Sequence, residues 1–195
     1  ILFSLILKEG VFVVKLYATS AAEAALPLKI GGVSVAEVVT SLFLVAPFKG
    51  KSTQAAAVLN AQMGLEWPAV HELKHMGGGH VLWFDHAHIA FMGAEPSAEL
   101  ARYAAVTDVS DAWCIIDISG VSARNVLARV TPLDLRAKSF NISMTQRSMV
   151  MHMQASITCL GKSKFRVMVF RSMARTLVHD LTIAMESVAA REKKV

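Results

Sequence analysis

With 195 residues, the chain can hold one domain, or two small ones, around a sizeable core. Hydrophobic residues make up 54% of it, above the usual globular share, which predicts a well-folded chain with apolar surface to spare. The net charge of +5 gathers in the C-terminal half, at Arg136, Lys138, Arg147, Lys162, Lys164, Arg166, Arg171 and Arg175. Few aromatics are interleaved there and no nucleic-acid motif is present, so an acidic partner surface or plain solvation is favoured over nucleic acid. Cys114 and Cys159 both sit inside apolar runs and read as small buried hydrophobes in a reducing compartment, hence a cytoplasmic location. Ten methionines fit either a Met-rich core or an exterior covered by partner subunits. Residues 1–7 are too few to span a bilayer and 33–48 fall short of the ~20 a helix needs, so no membrane span is expected. The chain opens on Ile1 rather than methionine, which suggests truncation or a longer reading frame.

In chain order, residues 11–17 read as a strand, 20–26 as a short helix stopped by Pro27, and 41–46 as a strand ending at Pro47. Ser52 is placed to cap a helix over 53–63, with Ala55, Val58, Leu59 and Met63 on one face and Gly64 in the left-handed position past its end. Strands follow at 81–84 and 89–92, then a helix from Ser97 to about Ala105. In the block 106–135, Asp108, Ser110 and Asp111 are turn formers. They precede a strand over 112–118 whose Trp113, Ile115 and Asp117 face one way and Cys114, Ile116 and Ile118 the other. Gly120 breaks that strand, Ser122 caps a helix with Ala123, Val126, Leu127 and Val130 inward, and Thr131 before Pro132 ends it. Strands at 147–153, 157–160 and 165–170 lead to a long final helix, with Met173, Leu177, Leu181, Met185 and Val188 along one stripe. Alternating strands and helices of this kind make an α+β fold.

Between Pro68 and His88 stands a literal HExxH, His71-Glu72-Leu73-Lys74-His75, the pattern in which two histidines one helical turn apart hold zinc and the glutamate activates water. Pro68 and the triple glycine 77–79 leave that helix scarcely two turns, and Val81 occupies the position where the extended motif needs a third histidine. The segment also holds His80, His86 and His88, and such enrichment favours an accidental match in a solvated loop. His71, Glu72 and His75 therefore stand only as an alternative metal site. The triple glycine reads as a hairpin lead-in. His152 and His179 read as structural histidines, and no GxGxxG, P-loop or GxSxG appears.

At the start of the final helix Ser172 is a good N-cap, yet Arg171 and Arg175 place positive charge beside the positive end of the helix dipole. They are expected to pair with carboxylates, either Asp108, Asp111 or Asp134 in this chain or acidic groups on a neighbouring subunit.

Thr107, Asp108, Ser110 to Trp113, Leu127 to Arg129, Pro132 to Leu135, Arg147, His152, Met153 and the run VFRSMARTLVHDLTIAMESVAAR, with Ala46 to Gly50 and Leu82 to Phe84 upstream, resemble the gamma subunit family of heterotetrameric sarcosine oxidase. The resemblance covers about the last three-quarters of the chain. It implies an aminomethyltransferase-like fold, related to the folate-binding T-protein, with ferredoxin-like α/β sandwich subdomains. These are expected over 1–100 and 101–195, with the first strands joining the second. It also implies a non-catalytic subunit among alpha, beta and delta partners that carry FAD, FMN, NAD, tetrahydrofolate and zinc, with no cofactor in this chain. Lys49, Asp108, Ser110, Asp111, Trp113, Asp134, Arg147, His152, Arg171, Ser172 and Arg175 are its expected structural or interface residues. A subunit of a related N-methylglutamate or methylamine-pathway dehydrogenase, and a free-standing folate-binding or folding-assistance protein, are the alternatives. Val109 and the His86-Ala87-His88 stretch depart from the family pattern.

Overall fold

The computed structural model of the chain describes residues 17–192. Most of the expected strand at 11–17 lies outside them. Eleven strands and three α-helices are described: β1 (Leu28–Ile30), β2 (Val33–Glu37), β3 (Leu42–Pro47), α1 (Ser52–Met63), β4 (Leu73–Met76), β5 (Gly79–Trp83), β6 (Ile89–Met92), β7 (Ala104–Asp108), β8 (Trp113–Ser119), α2 (Ala123–Leu127), β9 (Thr145–Val150), β10 (Met153–Gly161), β11 (Lys164–Phe170) and α3 (Ala174–Glu192). All pairings are antiparallel, and they form a six-stranded sheet in the order β1-β2-β8-β11-β10-β9 and a five-stranded sheet in the order β4-β5-β6-β3-β7.

Side-chain alternation along the central strands dictates how the layers stack. On β8, Cys114, Ile116 and Ile118 point to one face, and on its partner β11 Phe165, Val167 and Val169 do the same, all buried against Leu177, Leu181 and Met185 of α3 and Val126 and Leu127 of α2. The opposite faces of the two strands present Trp113, Ile115 and Met168 to Leu42, Leu73, Leu82, Ala90 and Met92 of the five-stranded sheet. That sheet uses its other face, with Val45, Val81, Ile89 and Phe91, to cover Ala55, Val58 and Leu59 of α1. The order of layers is thus helix, sheet, sheet, helix, with three hydrophobic seams. Each fully buried large apolar side chain contributes roughly 1.5–3 kcal/mol.

Several expectations are corrected. Residues 21–25 form a turn rather than a helix. The stretch from Ser97 forms a 3₁₀ turn at Leu100–Arg102 and then enters strand β7, because the backbone of 104–108 is claimed by the ladder to β3. Strand β7, beyond position 100, closes the five-stranded sheet, and β1 and β2, far earlier in the chain, pair into the six-stranded one. Ser52 is the first residue of α1 and not its cap, since Lys51 occupies that position. Gly64 does take the left-handed conformation past the helix end, with φ +64°. The helix after Gly120 is short, five residues, and is not capped by the Ser122 hydroxyl, which donates to Glu192 of α3 instead. The turn between β9 and β10 falls at 151–152, so 154–156 lie within the ladder. Gly120 itself tolerates no side chain: its φ is +133°, and a Cβ would lie 2.2 Å from the Gly32 carbonyl oxygen.

In the seam between the sheets sits one charged pair that strand alternation brings together. Arg166 and Asp117 are opposite each other in the β8–β11 register. The guanidinium donates to both carboxylate oxygens, at 2.7 and 3.0 Å, and Lys164 adds a second cation at 3.0 Å. Arg166 also reaches across the seam, placing Nη1 2.9 Å from Sδ of Met92 on β6. Burial pushes the Asp117 carboxyl up, but the hydrogen bonds and charge of Arg166, with those of Lys164, outweigh it and hold the group below its ordinary range. Because the folded value is depressed, the stability this group contributes is complete above about pH 5 and is lost as pH falls through the folded value. Asp117→Asn leaves Arg166 buried without its counter-charge and is expected to lower stability by about 3 kcal/mol at neutral pH. Urea denaturation should show that gap closing as the pH is lowered below 4.

Candidate functional site

The residues expected to shape a docking surface converge on one end of the sheet–sheet seam. At the exit of β7, the backbone N–H and hydroxyl of Ser110 both donate to Asp108 Oδ1, at 2.9 and 2.6 Å. The same hydroxyl accepts from the Leu42 amide of β3 at 2.9 Å. A short polar turn therefore ties the five-stranded sheet to the start of β8.

Trp113 follows immediately and is 7% exposed. It stacks on Phe170, the last residue of neighbouring β11, with ring centroids 4.6 Å apart, and meets the Phe84 ring edge-on at 5.4 Å. Arg147 of β9 lies across the same face, its guanidinium carbon 4.5 Å from the Phe84 ring centre and 5.2 Å from that of Trp113. Phe84 follows β5 of the other sheet, so this single cation joins both layers. Its Nη1 is buried without a hydrogen-bond partner. Burial draws the group's pKa down, against the opposing pull of Asp85.

Phe170 carries the chain outward into Arg171, Ser172 and Arg175 at the start of α3. Here a 3₁₀ turn, Arg171–Met173, precedes the helix, and no Ser172 side-chain cap forms. Arg171 donates to the Thr19 carbonyl. Among the described residues neither Arg171 nor Arg175 forms an ion pair with Asp108, Asp111 or Asp134. Asp108 is occupied by Ser110, and Asp134 by Arg136, whose guanidinium holds it far below the ordinary carboxylate range. Two hollows flank Arg171. The larger, about 880 Å³, is lined by Phe170, Arg171, Ser172, Arg175 and Glu23 among others; the smaller, about 330 Å³, by Ser110, Asp111, Trp113, Glu37 and Val39. Of the expected residues, Asp108, Ser110, Asp111, Trp113, Arg147, Arg171, Ser172 and Arg175 thus belong to one neighbourhood. Lys49, before α1, Asp134, after α2, and His152, in the β9–β10 turn, are exposed elsewhere.

The HExxH segment is not helical. Leu73–Met76 is a strand, and Gly77 and Gly78 form the two-residue turn to β5, so the histidine-rich segment is a hairpin rather than a solvated loop. His71 precedes the strand with φ +66° and packs edge-on against Trp83 at 4.7 Å. His75 instead faces its cross-strand neighbour His80, with ring centroids 5.1 Å apart, and lies 3.0 Å from the Ser143 hydroxyl. Glu72 is held by Lys74 at 2.7 Å and by the Ala69 amide. The two motif histidines therefore do not converge. Among the described residues no three His, Cys, Asp or Glu side chains gather as a metal-binding group.

The sequence reading missed the Asp117–Arg166 pair and the contact of His88 Nδ1 with Asp85 Oδ1, 2.9 Å. For the first a signal existed: each of two adjacent apolar strands carries one opposite charge inside its buried stretch. Cys114, under the Trp113 turn, has its thiol pushed up to about 11, by burial first and then by Glu37, against the pull of Arg171.

The stack of two antiparallel sheets between helices defines an aminomethyltransferase-like α+β protein. It matches the aminomethyltransferase T of the glycine cleavage system from Bartonella henselae with a TM-score of 0.56 and 13% identity, over 78% of this chain and 46% of that one. A chain of the heterotetrameric sarcosine oxidase from Corynebacterium sp. U-96, in complex with pyrrole 2-carboxylate, matches with a TM-score of 0.74 and 24% identity, over 88% of this chain and 96% of that one. Residues 49–186 match the model of the sarcosine oxidase gamma subunit family, and the chain belongs to that family. No curated protein matches it significantly. Among the described residues, no helix is long and apolar enough to cross a membrane.

Arg147→Ala removes two cation–π contacts and is expected to cost about 1–3 kcal/mol. Arg147→Met keeps the volume and deletes the unpartnered nitrogen, and should cost less than about 1 kcal/mol; guanidinium denaturation of both variants separates packing from charge. Both cysteines are buried. At pH 8 they should resist iodoacetamide in the native protein and react in denaturant, as mass spectrometry would register.

Proposed function

We propose that the chain is the non-catalytic positioning subunit of a flavin-dependent oxidase that demethylates sarcosine. In that reaction sarcosine, dioxygen and tetrahydrofolate give glycine, hydrogen peroxide and a methylene group carried on the folate. The chemistry rests with the alpha, beta and delta partners and their FAD, FMN, NAD, tetrahydrofolate and zinc, and the complex works in the cytoplasm. The match of residues 49–186 to the gamma subunit family carries this reading. The convergence of the 108–113 turn and the 170–175 segment on one partly exposed face supports it. So do the exposed apolar side chains Val39, Phe170 and Met173 there, which an obligate partner would cover. Binding that buries this face stabilises the chain by mass action.

Co-expressed with the alpha and beta subunits, the affinity-tagged chain is expected to bring down a yellow complex that forms peroxide when sarcosine is added. A colourless, monodisperse chain recovered alone under those conditions would defeat the proposal.

A further inference from the structure

We infer that the larger hollow at the start of α3 is the seat of an acidic side chain from a partner subunit, held by Arg175 and Arg171 with an adjoining apolar side chain on Phe170 and Met173. The inference rests on the gamma-subunit reading and gives that face its partner chemistry.

Several observations converge on it. Arg175 is exposed and Arg171 half-buried, and among the described residues neither has a carboxylate partner. Both stand at the positive end of a 19-residue helix that places no acidic residue in its first turn, so local charge is repulsive until an anion arrives. Among the described residues, Glu23 is the one acidic side chain lining the hollow, against two arginines. Phe170, 48% exposed, lines the hollow, and Met173, 41% exposed, follows in the same turn; together they supply the apolar part of the contact. The smaller hollow has the opposite balance, with Glu37 and Asp111 against Arg171, so the acidic group belongs to the larger one. An Arg flanked by partly exposed apolar side chains is the composition that anchors protein interfaces.

The test compares assembled complexes of the tagged chain with co-expressed alpha and beta subunits. Arg175→Glu should weaken assembly at least about tenfold at moderate salt. Glu23→Gln, which removes the opposing charge, should leave it unchanged or tighten it. Wild-type assembly with Arg175→Glu assembling equally well overturns this inference alone. So does an Arg175→Glu variant whose isolated chain loses thermal stability in step with its loss of assembly, since the hollow would then serve the chain's own fold or a second copy. Failure of the wild-type chain to assemble overturns the gamma-subunit reading and this inference together.

Discussion

Everything in this protein depends on two antiparallel sheets meeting face to face. Leu42, Leu82 and Met92 on one side meet Trp113, Ile115 and Met168 on the other, and the seam exists because β8 and β11 are apolar on both faces. A strand with one polar face would have ended the stack at a single sheet and its helices. Two charged side chains enter the seam on different terms. Asp117 and Arg166 neutralise each other across one pair of strands, and Arg166 extends to Met92 of the opposite sheet. Arg147 lies on aromatic rings drawn from both sheets.

The candidate face is a consequence of that seam. Trp113 can stack on Phe170 because antiparallel pairing sets them opposite each other at the end of the β8–β11 ladder. Phe170 then delivers Arg171 and Arg175 to the surface beside the turn of Asp108 and Ser110. Residues sixty positions apart in the chain become neighbours, and among the described residues none is held there by a salt bridge. The face is fastened from beneath, by aromatic packing and by the Arg147 guanidinium. Its charged rim lies at the surface, which supports the proposed docking role.

The catalytic look of the histidine-rich segment dissolves for the same structural reason. Leu73 and Leu82 are needed in the seam, and a hairpin turning at Gly77 and Gly78 places them opposite each other. That register sends His75 towards His80 and leaves His71 outside the strand. A helix there would have aligned His71 with His75 but broken the pairing of Leu73 with Leu82. Hydrophobic demand of the neighbouring layer outweighed a local pattern.

The sequence by itself determined the alternation of β8, the strands at 89–92 and 165–170, the long terminal helix with its apolar stripe, the left-handed Gly64, and the family, because each is carried by periodicity or by residues contiguous in the chain. Tertiary structure alone decided that 104–108 is a strand, that HExxH is extended, and that, among the described residues, Arg171 and Arg175 form no ion pair with Asp108, Asp111 or Asp134. Those outcomes depend on which backbone groups find partners in a ladder and on which faces must be covered. Both are settled by residues distant in sequence, and no local spacing encodes them.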